Sequence, residues 1–481
     1  MQRVHLYDII KKNPLFRRKD MKKLICLLLI LASIISVIGC TPTETPEVDG
    51  SKLNGEKLAD YVIVYSADDY DYSKRAAEYI KTEILDRTGL DLPIVEDGEA
   101  DEARCEIVVG NTDRQISKTA NGSREGLEFC ILAEGGKVAL RADYFIIAAA
   151  AYFFIENYVP EDNFAANIPE ELKIHTPIIK EAKNYIMLIG DGMGVYQTQI
   201  FDYMENTVDY SDGEDIFYGY YLPYMGYSRT QSLDGITDSA AGGTALACGH
   251  KTHNEYIGRD GEGNDIKSLT ELAREKGKKA AVMSTENNTG ATPASFSAHC
   301  DSRDSSGKIV ESQMHASQEL GIRINCGYDY YTVKYMGIIE RKVTDMFDLI
   351  GDTEEGFFLM YEEAYIDKHC HNNNLDKAMQ AITRFNQVIA MVMEYAFYHP
   401  ETFVLITADH ETGDLYPEED GTLAYHHDDH TAKNVPIFAY GDGAELFDGV
   451  EVENIQIAHT IASFMGEYNF GDQSEYKYLS K

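Results

Sequence analysis

Between residues 184 and 481 the chain alternates short, wholly apolar runs with longer amphipathic stretches. Tyr185–Gly190, Ala280–Met283, Phe357–Tyr361, Phe403–Ala408 and Val435–Tyr440 contain almost no polar residue. Runs of that length without alternation mark strands buried on both faces, the habit of parallel sheets. Ser268–Lys276, Leu375–Tyr398 and Asn454–Met465 carry helical spacing instead. Strands alternating with helices predict an α/β domain over residues 184–481, with a mostly parallel sheet sandwiched by helices.

The preceding segment reads as a small α+β domain over residues 57–160. Strands are expected at Tyr61–Tyr65, Leu92–Val95 and Glu106–Val109, and a helix at Ser73–Thr88, stopped by Gly89. Leu127–Leu132 and Val138–Ala142 flank Gly135-Gly136, a hairpin signal. Tyr144–Tyr158 is apolar almost throughout and predicts a buried helix. Residues 161–183, with Pro169 and Pro177, read as a linker. The pattern of residues 57–160, including Leu92-Pro93-Ile94-Val95 and Glu106-Ile107-Val108-Val109, resembles the small domain that precedes catalytic domains in several bacterial glycoside hydrolases. It carries no catalytic constellation and reads as a spacer, or as a module for binding a glycan or partner.

The first 40 residues are a targeting segment. Met21-Lys22-Lys23 is a basic start and Leu24–Ile38 an apolar core too short to span a bilayer comfortably. Residues 1–20 read as an upstream start or an extended basic region. Val37-Ile38-Gly39-Cys40 resembles a bacterial lipoprotein box, which implies cleavage before Cys40 and a lipid on its thiol; an uncleaved anchor helix is the alternative. Residues 41–56 form a Pro/Thr/Glu/Gly-rich tether. The expected location is therefore extracytoplasmic, lipid-anchored to the cell membrane.

Net charge is −37, and the only strongly basic stretch lies in the targeting segment. Nucleic-acid binding through phosphates needs clustered positive charge and is excluded on this ground. Six cysteines remain beyond Cys40, a number that permits disulfides in an exported chain without choosing their pairing. No CxxC pair occurs, which argues against a thiolate zinc site.

Acids stand at the ends of three apolar runs: Asp191 after Gly190, Glu362 after Tyr361, and Asp409-His410 after Ala408. The carboxyl ends of parallel strands open into the crevice where α/β sheets bind ligands. One acid there is commonly a helix cap; three with histidines nearby point to a polymetal site. Asp367 and His371 stand four apart, on one face of a helix, as metal ligands or as an ion pair. His430 precedes another apolar strand, and spacing leaves His426 and His427 as rivals. Ser239 opens the small-residue run Ser239-Ala240-Ala241-Gly242-Gly243, where a hydroxyl at a helix start is a cap or a nucleophile beside an anion site.

Six blocks in order resemble the alkaline phosphatases: Asn184–Gly194 with Asp191, Thr237–Ala241 with Ser239, Ala291–Ala294 with His299 and Ser302-Arg303 following, Glu362 with Ile366-Asp367-Lys368 and His371, Thr407–His410, and His430-Thr431. The resemblance implies one zinc on Asp367, His371 and His430, a second on Asp191, Asp409 and His410, and magnesium on Asp191, Thr292 and Glu362. It makes Ser239 the nucleophile and Arg303 the phosphate clamp, with Lys368 reaching the phosphate through water. Two metals flanking phosphorus can stabilise the entering and leaving oxygens of an in-line displacement, and Arg grips two phosphate oxygens at once. The implied activity is hydrolysis of phosphate monoesters through a phosphoserine intermediate. A diesterase or phosphonate hydrolase of the same superfold, or an inactive surface binding lipoprotein, are the alternatives. The family is usually dimeric, which makes a homodimer possible. Gly290 departs from the pattern, because the family commonly carries an acid or His two positions before the Thr. Lys368 keeps magnesium favoured as the third metal.

Overall fold

The computed structural model describes residues 50–480 apart from 68–70, 121–125, 162, 204–215, 328–335 and 352. The targeting segment, Cys40 and most of the tether lie outside the described residues.

The first of two main sheets is built from β1 (Val62–Tyr65), β2 (Ile94–Glu96), β3 (Glu106–Val109), β4 (Phe129–Glu134), β5 (Lys137–Arg141) and β6 (Glu171–Ile174), with α1 (Tyr72–Thr88) and α2 (Ile147–Tyr158) packed on it. The strand order is β2-β1-β3-β5-β4-β6. β1, β2, β3 and β5 run parallel; β4 pairs antiparallel with β5 and β6. Gly135-Gly136 makes the β4–β5 turn, where Glu134 pairs with Lys137. The left-handed backbone at Gly135 (φ +59°) suits a residue without Cβ. β6 falls inside the stretch that reads as a linker from sequence, because Glu171-Leu172-Lys173-Ile174 alternates on a half-exposed edge instead of forming an apolar run.

The second sheet contains β7 (Asn184–Gly190), β8 (Tyr224–Arg229), β9 (Lys279–Ser284), β10 (Arg323–Cys326), β11 (Phe357–Glu363), β12 (Thr402–Thr407), β13 (Val435–Tyr440) and β14 (Glu451–Glu453), in the order β10-β9-β11-β7-β12-β13-β8-β14. Only β13 runs against the other strands. Every residue of β7, β11, β12 and β13 is buried, as the unbroken apolar runs require. The strands that the apolar runs do not reveal, β8, β10 and β14, lie toward or at the sheet's edges and carry polar residues.

Among the covering helices are α3 (Ser239–Cys248), α4 (Leu269–Glu275), α5 (Ala291–Ser295), α6 (Tyr365–Cys370), α7 (Leu375–Tyr398) and α8 (Asn454–Phe464). Ser268 and Glu271 form a reciprocal capping box at the start of α4. Asn374 caps α7, accepting from Lys377 N–H at 3.1 Å. Ala378, Ile382, Phe385, Ile389, Val392 and Ala396 of α7 are buried, a 3–4 residue spacing that turns one face to the core. The far end of α7 meets the first sheet's helices. Tyr79 stacks on Tyr398 at 4.2 Å, Phe145 lies 6.1 Å from Phe397, and Arg75 Nε and Nη2 each donate to Glu394 at 2.9 Å. Lys180 and Lys183 N–H donate to the carbonyls of Pro400 and Glu401. The first sheet thus shares a continuous apolar core with the second.

Candidate metal centre

Three neighbouring strands, β11, β7 and β12, deliver the central acids. Ile189 of β7 registers with Glu362 on one side and with Thr407 on the other. Asp191 and Asp409 therefore emerge side by side, two residues beyond one registered pair. Glu362 belongs to β11 itself instead of standing past its end. Asp191, Asp409 and His410 bring ligand atoms within 4.8 Å of one another, and so do Asp367, His371 and His430.

The second cluster turns two imidazole nitrogens toward each other and toward a carboxylate. His371 Nδ1 faces the Asp428 carbonyl at 2.7 Å and His430 Nδ1 faces the Thr237 carbonyl at 2.8 Å. Each Nδ1 must carry the hydrogen to donate, so in neutral rings each Nε2 bears a lone pair. Those two Nε2 atoms face each other at 3.1 Å, with Asp367 Oδ1 at 3.4 and 3.6 Å. Two nitrogens and a carboxylate converging this way form a site that a metal ion, or a shared proton, stabilises. The set fits zinc, which takes imidazole nitrogen and carboxylate oxygen and keeps a position open when bound by three groups. Thr412 Oγ1 donates to Asp367 Oδ1 at 2.6 Å and fixes that carboxylate.

His410 is wholly buried, with Nε2 at 3.4 Å from both Asp191 Oδ1 and Asp409 Oδ2. Burial, then His430, Arg303 and His371, push its pKa well below the ordinary value, so the ring is neutral. Burial and then Asp409 raise the Asp191 carboxyl well above the usual range. Burial and then Glu286 raise Glu362 likewise. Asp409 is pushed up to about 7, by burial and then by Asp367. Carboxylates crowd here, while Arg303 and Lys368 form their ion pairs with Asp238 and Glu286 instead. Asp191 Oδ1, Glu362 Oε1, Asp409 Oδ2 and Thr292 Oγ1 are buried without a hydrogen-bond partner among the described residues. Asp191, Thr292 and Glu362 offer only oxygen, which suits a hard cation such as magnesium.

Ser239 begins α3, and its Oγ lies 3.1 Å from His410 Nε2. Asp238 is the cap: Oδ1 accepts from Ala241 N–H at 2.9 Å, and Oδ2 accepts from Glu255 N–H at 3.0 Å and from Arg303 Nη1 at 3.1 Å. Asp238 thus ties Arg303 to the helix that starts with Ser239. The small residues of α3 have a packing reason. A Cβ at Gly242 would stand 2.8 Å from the Asp409 carbonyl, and one at Gly243 would stand 3.2 Å from Thr292 Cα. Lys368 pairs with Glu286 and lies over the Tyr365 ring at 4.7 Å.

Six of the eight residues expected to bind metal make up the two clusters; Glu362 lies in register with Ile189 and Thr292 lies against Gly243 of α3, while Ser239 adjoins His410 and Lys368 pairs with Glu286. The rivals lie elsewhere: His426 stacks on Tyr416 at 3.5 Å, and exposed His427 Nδ1 accepts from Asp429 N–H at 3.0 Å. His369 packs against the Tyr365 ring, and burial lowers it to about 4. Asp238, Thr412 and Glu286 escape a reading by sequence. Asp238 and Thr412 each adjoin or nearly adjoin a recognisable ligand or nucleophile, whereas Glu286 sits in a polar loop with no such signal.

Fold and geometry together define a class: α/β proteins with two candidate metal-ligand clusters at the carboxyl edge of the sheet. Comparison with known proteins narrows it. The alkaline phosphatase family profile matches residues 182–324 and 341–419. Alkaline phosphatase 3 of Bacillus subtilis (strain 168) is 28% identical over 328 residues, covering 57% of this chain and 70% of its own. Alkaline phosphatase 4 of the same strain is 28% identical over 299 residues, covering 51% and 65%. The solved alkaline phosphatase of the Antarctic bacterium TAB5 superposes with a TM-score of 0.52 at 25% identity, over 60% of this chain and 99% of that one. A variant of the TAB5 enzyme has Mg bound in its M3 site. Over the matched residues the chain carries an alkaline phosphatase-like domain, and the family match and the relatives support phosphatase activity. The first sheet lies wholly before the family match.

Proposed function

We propose that this phosphatase hydrolyses phosphate monoesters through a phosphoserine intermediate, at two zinc ions and one magnesium ion, outside the cytoplasm. The observation that carries the reading is the pair of facing imidazole nitrogens at His371 and His430 with Asp367 beside them, and Ser239 opening a helix beside the neighbouring cluster. Asp367, His371 and His430 would hold one zinc, Asp191, Asp409 and His410 the other, and Asp191, Thr292 and Glu362 the magnesium. Ions bound there supply charge stabilisation for the oxygens entering and leaving phosphorus.

The chain's own groups do the rest. Ser239 Oγ attacks phosphorus, the bond to the leaving oxygen breaks, and water later cleaves the phosphoserine. The free N–H groups and positive end of α3 favour the dianion beside Ser239. Arg303, held by Asp238, grips non-bridging oxygens, and Lys368 reaches the phosphate through water. Lipidation at Cys40 would keep the enzyme at the membrane, where small phosphate esters arrive from outside.

The soluble chain from Thr41 onward tests this with p-nitrophenyl phosphate at alkaline pH. Activity is expected to vanish on chelation and return with zinc plus magnesium. A zinc-loaded protein inert toward monoesters would move the assignment to diesters or phosphonates.

A further inference from the structure

Gly290 leaves a space that another residue fills. A Cβ built at Gly290 would collide with the carboxylate of Glu286, which reaches back from four residues upstream in the loop after β9. That side chain is only 14% exposed and pairs with the Lys368 ammonium. Its loop is anchored to the centre. Glu286 N–H donates to Ser284 Oγ at 3.0 Å, and Ser284 Oγ donates in turn to Glu362 Oε2. The Glu286 carbonyl accepts from Gly327 N–H at 2.5 Å. Close by in the fold, Thr292 Oγ1, Glu362 Oε1 and Asp191 Oδ1 are buried without hydrogen-bond partners among the described residues. Three such oxygens leave the shell of a hard divalent cation unfinished. The remaining positions go to waters, which themselves need fixed acceptors. The Glu286 carboxylate is already paired with the Lys368 ammonium, which suits it to accept from such waters.

We propose that Glu286 supplies, from another position in the chain, the acid missing at 290: its carboxylate accepts from the waters of the cation held by Asp191, Thr292 and Glu362, and fixes Lys368 beside them. It is a positioning residue, and its role rests on the third-cation reading given under the proposed function.

Glu286→Gln keeps the shape and removes the charge. Zinc-loaded wild type and variant are titrated with Mg2+, read as bound metal after dialysis and as the Mg2+-dependent rise in Tm. Mg2+ binding is expected to weaken by about tenfold or more with zinc content unchanged. Glu286→Ala opens the space, so adding Gly290→Asp to it is expected to restore most of the Mg2+ affinity. Gly290→Asp alone, which collides with Glu286, is expected to impair binding. If the Gln variant fails to fold, as zinc content and circular dichroism will reveal, the Ala and Ala/Asp pair carries the same comparison. Equal Mg2+ affinity in wild type and Glu286→Gln, or no rescue by Gly290→Asp, overturns the role of Glu286 alone. A wild type that binds zinc but no Mg2+ overturns the third-cation reading and this inference with it.

Discussion

Ser239 and Arg303 sit on the same small frame, because Asp238 caps the serine's helix with one oxygen and holds the arginine with the other. Their loss should separate chemistry from binding. Ser239→Ala is expected to cut turnover by about a thousandfold or more, while elemental analysis finds zinc unchanged. Loss of zinc as well would place the nucleophile elsewhere. Arg303→Ala is expected to raise the inhibition constant for inorganic phosphate by about tenfold or more, with little change in Tm. Part of its side chain is solvent-exposed, so its ion pair with Asp238 adds little to stability. Phosphate inhibition that stays unchanged would remove Arg303 from the site.

At the scale of elements, the glycines of α3 matter as much as its serine. Helix interiors usually lose stability with Gly, by about 1 kcal/mol against Ala. Here Gly242 lets the helix approach the Asp409 backbone, where a methyl would stand 2.8 Å from the carbonyl. Gly242→Ala therefore gains helix propensity and loses fit. Overpacking of this kind costs about 1–3 kcal/mol, and the strain falls on Asp409. A lower Tm together with weaker zinc binding is expected. A rise in Tm with intact zinc affinity would show that α3 has room to move. The contact of α7 with the first sheet works at this scale too. Phe397 is buried and Tyr398 half-buried on the same helix whose other turns pack against β7, β11 and β12.

For the molecule as a whole, the buried carboxylates of the candidate metal centre link stability to pH. Asp191 and Glu362 are raised well above the carboxylate range and Asp409 to about 7 by burial and mutual repulsion. A carboxyl raised on folding binds its proton more tightly folded than unfolded. In metal-free protein these groups contribute stability fully below their unfolded value of about 4, and that contribution is lost as pH rises through their raised folded values, about 7 for Asp409. Bound cations favour the ionised form and oppose the loss. The Tm gap between zinc-loaded and chelated protein should therefore widen from about pH 5 to about pH 8. A gap independent of pH would mean that these carboxyls do not titrate against the metals.

Much of this was legible in the residues themselves. The apolar runs at Tyr185–Gly190, Phe357–Tyr361 and Phe403–Ala408 announce strands that have no solvent-facing side, and the acids ending them announce a ligand edge. Asp367 and His371 declare their shared helix face by spacing alone. Strand identity and direction of β8, β10 and β14 were not legible, because edge strands mix polar and apolar residues and lose the signal of burial. Sequence determined which chemical groups the chain owns and which local elements carry them. Tertiary structure alone decided that Asp191 and Asp409 emerge side by side, that His430 and not His426 or His427 meets His371, and that Glu286 fills the place left by Gly290. Register and long-range packing bring together residues separated by dozens to hundreds of positions, and no local periodicity encodes those distances.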